Sequence, residues 1–154
     1  MACPSSLQGE DLTWLVHRFG QRLRASLDGL AQAAGLHGGR EWIVLTALGQ
    51  QPGRTQLALA QELGLDKTTM TSLLDRLEQD GLLVRRQLAH DRRARIPEIT
   101  PAGRRAQAKV ESCRAAAEAA AMAGLTAREQ QTLRGLLVRL AESTDAPSPG
   151  GSCI

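Results

Sequence analysis

Two stretches of this 154-residue chain carry side chains suited to recognition chemistry. The first is Lys67-Thr68-Thr69-Met70-Thr71-Ser72, a run of short hydroxyls behind one lysine. The second lies between Arg85 and Arg95, where Arg85, Arg86, Arg92, Arg93 and Arg95 face a single acid, Asp91. Hydroxyls can approach base edges closely, and a threonine methyl can touch a thymine methyl. Arginine forks take phosphate oxygens, and a narrow arginine tip suits the minor groove. The net charge is only +3, but it is unevenly placed. Between Lys67 and Lys109 ten Lys/Arg stand against five Asp/Glu; the remainder holds nine against eleven. That asymmetry points to a polyanionic partner at one surface, or to a solvated basic face.

Turnover chemistry finds no support. There is no Gly-rich phosphate loop, no serine elbow and no His/Cys/acid motif, so no enzyme and no cofactor is expected. His17, His37 and His90 lack metal-ligand spacing with Asp, Glu or Cys. Cys3, Cys113 and Cys153 are too few and too scattered for a disulfide framework. Cys113 falls on the apolar stripe of a helix, where a buried thiol is inert. With Trp14, Trp42 and Phe19 the only aromatics, a stacking platform for single strands is hard to build, and a β-sandwich core is disfavoured. No apolar run of membrane-spanning length and no secretory signal is visible, so the expected setting is cytoplasmic and reducing, with no membrane partner.

The recognition groups need rigid elements to hold them. Leu12, Leu15, Val16, Phe19, Leu23, Leu27 and Leu30 recur at helical spacing and predict a helix over about 11–34. Trp42, Leu45 and Leu48 are in phase over about 40–49. Thr55 caps a short helix to Leu63, Gly64 suits the left-handed position after it, and Asp66 caps the next helix, Lys67–Asp80. Two short helices so joined are a helix-turn-helix. In the second, Met70, Leu73, Leu74 and Leu77 share one face; Thr68, Ser72, Asp75 and Gln79 lie opposite, with Thr71 and Arg76 on the flanks. Residues 82–86 and 95–99 read as two short strands around a tip at 89–93, with Pro97 at an edge. Thr100-Pro101 opens a helix with Ala106, Val110, Cys113, Ala117 and Ala120 as its stripe. Thr126-Ala127-Arg128-Glu129 is a capping box before a last helix faced by Leu133, Leu136, Leu137 and Leu140. Residues 1–10 and 146–154 read as disordered. The fold class is therefore mainly α with a small β-hairpin wing. A winged helix-turn-helix over about 40–100 sits between helices of about 11–34 and 101–142, in a single domain of 11–145. Two apolar-striped terminal helices would leave a large face exposed unless they paired, so a homodimer is expected.

The segment ELGLDKTTMTSLLDRLEQDGLLVRR, followed by DRR and then ITPAGR, resembles the MarR family of transcriptional regulators. The resemblance runs over roughly residues 11–142. It implies a non-enzymatic homodimer, with the terminal helices as dimerisation elements and two winged lobes on a pseudo-palindromic operator in double-stranded DNA. The expected outcome is repression or dual regulation. Lys67–Asp80 becomes the recognition helix, with Thr68, Thr71, Ser72 and Arg76 on DNA. Asp91 and Arg93 match the wing-tip pair, Arg93 entering the minor groove; Asp91 can orient it or cap the turn. Lys67, Thr69, Arg86, Arg92 and Arg95 complete the expected DNA-binding set. The strand running into Gln87-Leu88-Ala89-His90, and Pro97, depart from the family pattern. The resemblance also implies a small aromatic or anionic ligand between the dimer helices and the DNA lobe, where Trp14, His17, Arg18 and Trp42 could line a pocket. Trp14 and Trp42 equally suit a core. Two alternatives remain: a helical interaction module docking an acidic protein, and a regulator that senses oxidants through a cysteine.

Overall fold

A computed structural model describes residues 11–88 and 91–142, with backbone alone for Leu88 and residues 91–94. The expectations for residues 1–10 and 146–154, and for Cys3, His90 and Cys153, lie outside the described residues. The described elements run α1 (Leu12–Ala33), α2 (Gly39–Gln50), α3 (Gln56–Glu62), α4 (Lys67–Gln79), β1 (Leu83–Leu88), β2 (Asp91–Ile99), α5 (Pro101–Ala121) and α6 (Ala127–Glu142). This is the mainly helical, hairpin-bearing class that the spacing predicts. The chain divides into two compact units, Met1–Ala121 and Met122–Ile154.

In the first unit the helix starts are set by side-chain caps. Asp11 Oδ1 accepts from Thr13 N at 2.8 Å, Thr55 Oγ1 from Ala58 N at 3.2 Å, and Asp66 Oδ1 from Thr69 N at 2.8 Å. Each satisfies an amide that the first helical turn cannot pair. Gly64, between α3 and α4, has φ +61°, a conformation costly for a residue with a Cβ. The core gathers Val44, Leu45 and Leu48 of α2, Leu59 of α3, Met70, Leu74 and Leu77 of α4, and Leu83 of β1. Burying each leucine contributes about 1.5–3 kcal/mol against leaving it in water. Ala106 and Val110 close the core from α5, and Ala31 from the end of α1. The α1 C-terminus is tied down by Lys109, whose Nζ donates to Ala33 O at 2.5 Å.

The hairpin is antiparallel, paired from Leu83↔Ile99 to Gln87↔Arg95, and then Leu88↔Asp91. The register shift between Gln87 and Leu88 puts the extra residues on β2. The return strand therefore begins at Asp91, not at Arg95 as its alternation suggested, because bulged residues blur the two-residue period. Pro97 is accommodated by geometry. It faces Arg85, whose N–H leaves the ladder to donate to Glu78 Oε1 at 3.0 Å. Arg85 and Pro97 thus form a non-hydrogen-bonded pair, and the N–H that proline lacks is not needed in the ladder.

The wing returns to α5 through a tight joint. Thr100 N donates to Leu82 O at 3.0 Å and Thr100 Oγ1 to Gly81 O at 2.8 Å. Gly103 lies so close that a Cβ there would sit 2.1 Å from Leu82 O. Only glycine fits at that approach.

Burial along α5 includes Gly103, Ala106 and Val110 and resumes at Ala121. Cys113, expected inside, is exposed. The reason is that the buried stripe stops at Val110, so the small residues that continue the pattern have no core to face. Along α1, Leu27 and Leu30 pack against the core, but Leu12, Leu15 and Val16 are exposed. In the second unit Thr126 N donates to Glu129 Oε2 at 2.7 Å, the expected capping box, while Leu136, Leu137 and Leu140 of α6 are exposed. No helix among the described residues is long and apolar enough to cross a membrane.

Candidate nucleic-acid interface

Helix α4 presents what its period predicts. Met70, Leu73, Leu74 and Leu77 are buried, while Lys67, Thr68, Ser72, Arg76 and Gln79 are exposed. Thr69 and Thr71 are half-buried and already engaged. Thr69 Oγ1 donates to Asp66 Oδ2 at 2.6 Å, which closes the helix cap. Thr71 Oγ1 accepts from Gln56 Nε2 at 2.7 Å, which ties α4 to the first helix of the pair. Thr68 and Ser72 stand one turn apart on the outward face.

Arg76 is held by a group that sequence reasoning missed. Its Nε donates to Glu41 Oε1 at 3.0 Å, and Glu41 is only 1% exposed. The other oxygen of Glu41 accepts from His37 N at 2.8 Å. A buried carboxylate needs such partners, and together they hold α4 to the α1–α2 connection. A signal was available: Glu41 precedes Leu45 and Leu48 by one and two turns, on the buried face of α2. His37 Nε2 adds a 3.0 Å contact to Asp80 Oδ2 just past the end of α4.

The hairpin arginines do not all face solvent without counter-ions, as their crowding suggested. Arg85, 11% exposed, donates through Nη1 to Glu78 Oε2 at 2.9 Å and through Nη2 to Asp75 Oδ1 at 2.6 Å. It is an anchor between wing and recognition helix, and the alternation with buried Leu83 was its sequence signal. Arg86, 70% exposed, is joined to Glu98 across the strands at 2.7 Å. Arg95 is exposed and shares with Lys67 and Gln56 the lining of a cleft of about 510 Å³ beside α3. The side chains of Asp91, Arg92 and Arg93 lie outside the described residues.

Of the four residues suggested for a ligand, three lie on α1 and one, Trp42, on α2. Trp14 and His17 stack on α1 with ring centroids 5.9 Å apart, and His17 and Arg18 are exposed. Trp42 belongs to the core. Its Nε1 and the hydroxyl of Thr46, one turn on, are buried without a protein partner.

An outward hydroxyl-bearing helix joined by Arg85 to a basic hairpin is the working arrangement of a winged reader of duplex DNA. A profile of the MarR family matches residues 34–94, which span both helices and most of the hairpin. Over that segment the chain is similar to the MarR family. A Thauera aromatica protein assigned to transcriptional regulation of the hcr operon is 34% identical over 97 residues. That stretch is 63% of this chain and spans 58% of the relative's length. A MarR-family regulator from Rhodococcus sp. RHA1 superposes with a TM-score of 0.78 at 27% identity, covering 90% of this chain and 97% of its own. The Mycobacterium tuberculosis MarR-family protein Rv2887, solved in complex with DNA, superposes with a TM-score of 0.70 at 28% identity, over 84% of this chain and 97% of its own. Rv2887 has also been solved with salicylic acid. The Thauera and Rhodococcus relatives are both described as regulators of transcription.

Proposed function

We propose that this chain is a MarR-family regulator that binds a specific duplex operator as a homodimer in the cytoplasm, represses transcription there, and is released by a small aromatic or anionic ligand. One observation carries the reading: the outward face of α4, with Thr68, Ser72 and half-exposed Arg76, is clamped beside a basic wing by Arg85, whose side chain is 11% exposed. Short hydroxyls discriminate bases, Lys67, Arg86, Arg92 and Arg95 supply salt-sensitive phosphate contacts, and Arg93, oriented by Asp91, probes the minor groove. Thr69 and Thr71 serve the helix itself and reach DNA only at its edge. Two-fold pairing would place half-sites about one helical turn, ~10 bp, apart. The Rv2887 complexes with DNA and with salicylic acid support both halves of the proposal. On the ligand side, Trp42 Nε1 and Thr46 Oγ1 are polar groups in search of a partner, and Trp14, His17 and Arg18 lie on α1.

The test is selection of bound sequences from random duplexes, followed by footprinting at several salt concentrations. A protected pseudo-palindrome is the expected result. Binding that never exceeds that of bulk DNA would favour docking of an acidic protein instead. In the same assay Arg93→Ala weakens operator binding by tenfold or more, roughly 1.4 kcal/mol, while sedimentation still reports a dimer. Unchanged affinity removes the wing-tip assignment.

A further inference from the structure

We infer that Arg24 of α1 and Arg40 of α2 form a second binding surface for the DNA backbone, on the flank of α4 that faces away from the wing. The inference rests on the reading of α4 as the helix that enters the major groove. Taking Lys67 as origin and about 100° per residue, the buried face of α4 centres near 290° and the outward face near 110°. Thr71, Asp75 and Glu78 fall at about 20–80°, and their contacts with Gln56 and Arg85 place the wing on that side. Arg76 and Thr69 fall at about 180–200°, on the other side. There they border a cleft of about 530 Å³ whose far wall carries Arg24, Asp28, His37 and Arg40.

The charges in this cleft are not equivalent. Asp28 Oδ1 accepts from Gly39 N at 2.7 Å. Each oxygen of Glu41 is engaged, one by Arg76 and one by His37 N, and Asp80 is engaged by the His37 ring. The acids are thus turned to partners within the fold. Arg24 and Arg40 are exposed, and neither has an ion-pair or hydrogen-bond partner among the described residues. In the cleft lining the three guanidiniums of Arg24, Arg40 and Arg76 outnumber the carboxylates of Asp28 and Glu41, and the cationic surplus adjoins Thr68 and Ser72.

The size of the duplex supplies the partner. An α-helix about 10–12 Å across fills a major groove about 12 Å wide, so a phosphate ribbon runs close along each of its sides. Lys67, Arg86 and Arg95 serve the ribbon on the wing side. Arg24 and Arg40 serve the opposite one, where their guanidinium forks match phosphodiester oxygens.

The experiment uses the full chain and a duplex recovered from the random-sequence selection. In the Arg24→Gln/Arg40→Gln variant, affinity falls roughly tenfold per lost contact near 0.1 M salt, and the slope of log affinity against log salt drops by about 0.9 per contact. Base preference stays the same. Phosphate-ethylation interference disappears on the strand across the groove from the phosphates sensitive to Arg95→Ala. Arg24→Lys/Arg40→Lys keeps most of the affinity, which distinguishes lost charge from lost folding. Normal binding by the unaltered protein, with unchanged affinity and slope in the Gln variant, overturns the inference alone. So does a variant whose only change is weaker binding of salicylate. Failure of the unaltered protein to bind any duplex overturns the inference together with the reading beneath it.

Discussion

Single side chains do most of the positioning in this molecule. Asp66 accepts from both the hydroxyl and the amide of Thr69. The Thr69 hydroxyl, and then its N–H, hold the Asp66 carboxyl below the ordinary value. A carboxyl depressed in the folded state contributes stability that is complete above its unfolded pKa, ~3.9, and is lost as pH falls through the folded value. Melting temperature should therefore drop more steeply between about pH 5 and pH 2 in the native chain than in Asp66→Asn. Parallel curves would remove the cap from the pH response. The outward placement of Thr68 and Ser72 was legible beforehand, because four buried apolar residues at helical spacing leave one side for water. Glu41 was not. Its partner Arg76 lies 35 residues on, and a glutamate amid apolar neighbours shows its role only when the chain brings that guanidinium over it.

Among elements, the wing and α4 behave as one piece through Arg85. Removing its side chain in Arg85→Ala leaves Asp75 and Glu78 facing each other without a cation. The cost is about 1–2 kcal/mol, below the ~3–5 of a fully buried pair because the carboxylates are 47% and 39% exposed. DNA affinity should fall as well, because Arg85 is what holds the wing to α4. Denaturant unfolding and operator titration measure the two effects, and an unshifted midpoint with intact binding would reject the clamp. The order of elements could be read from caps, glycines and changing hydrophobic period. The bulge between Gln87 and Leu88 could not, since its register depends on pairing across the hairpin. Nor could the exposure of Cys113, because period alone does not say where along α5 the covering core ends.

For the whole molecule, the exposed apolar side chains set the expectation. Leu12 and Val16 of α1, and Leu136, Leu137 and Leu140 of α6, stand open in a single chain. Faces of this kind are stable in water when a second copy covers them. The melting temperature should rise with protein concentration, as for any fold linked to association. Leu12→Asp/Leu140→Asp should sediment as a monomer and lose operator binding. A concentration-independent melting temperature with a monomer at tens of micromolar would end the dimer proposal.

The joint at Gly103 carries a mechanical consequence. The backbone of Leu82 occupies the space a Cβ would need, and Thr100 grips both Gly81 and Leu82. Bending at that point would break two hydrogen bonds at once, and it would have to overcome a steric stop. The root of the wing is thus a weld, and any tilt of α5 would carry the hairpin with it, as a crank carries its handle, without flexing at the shoulder.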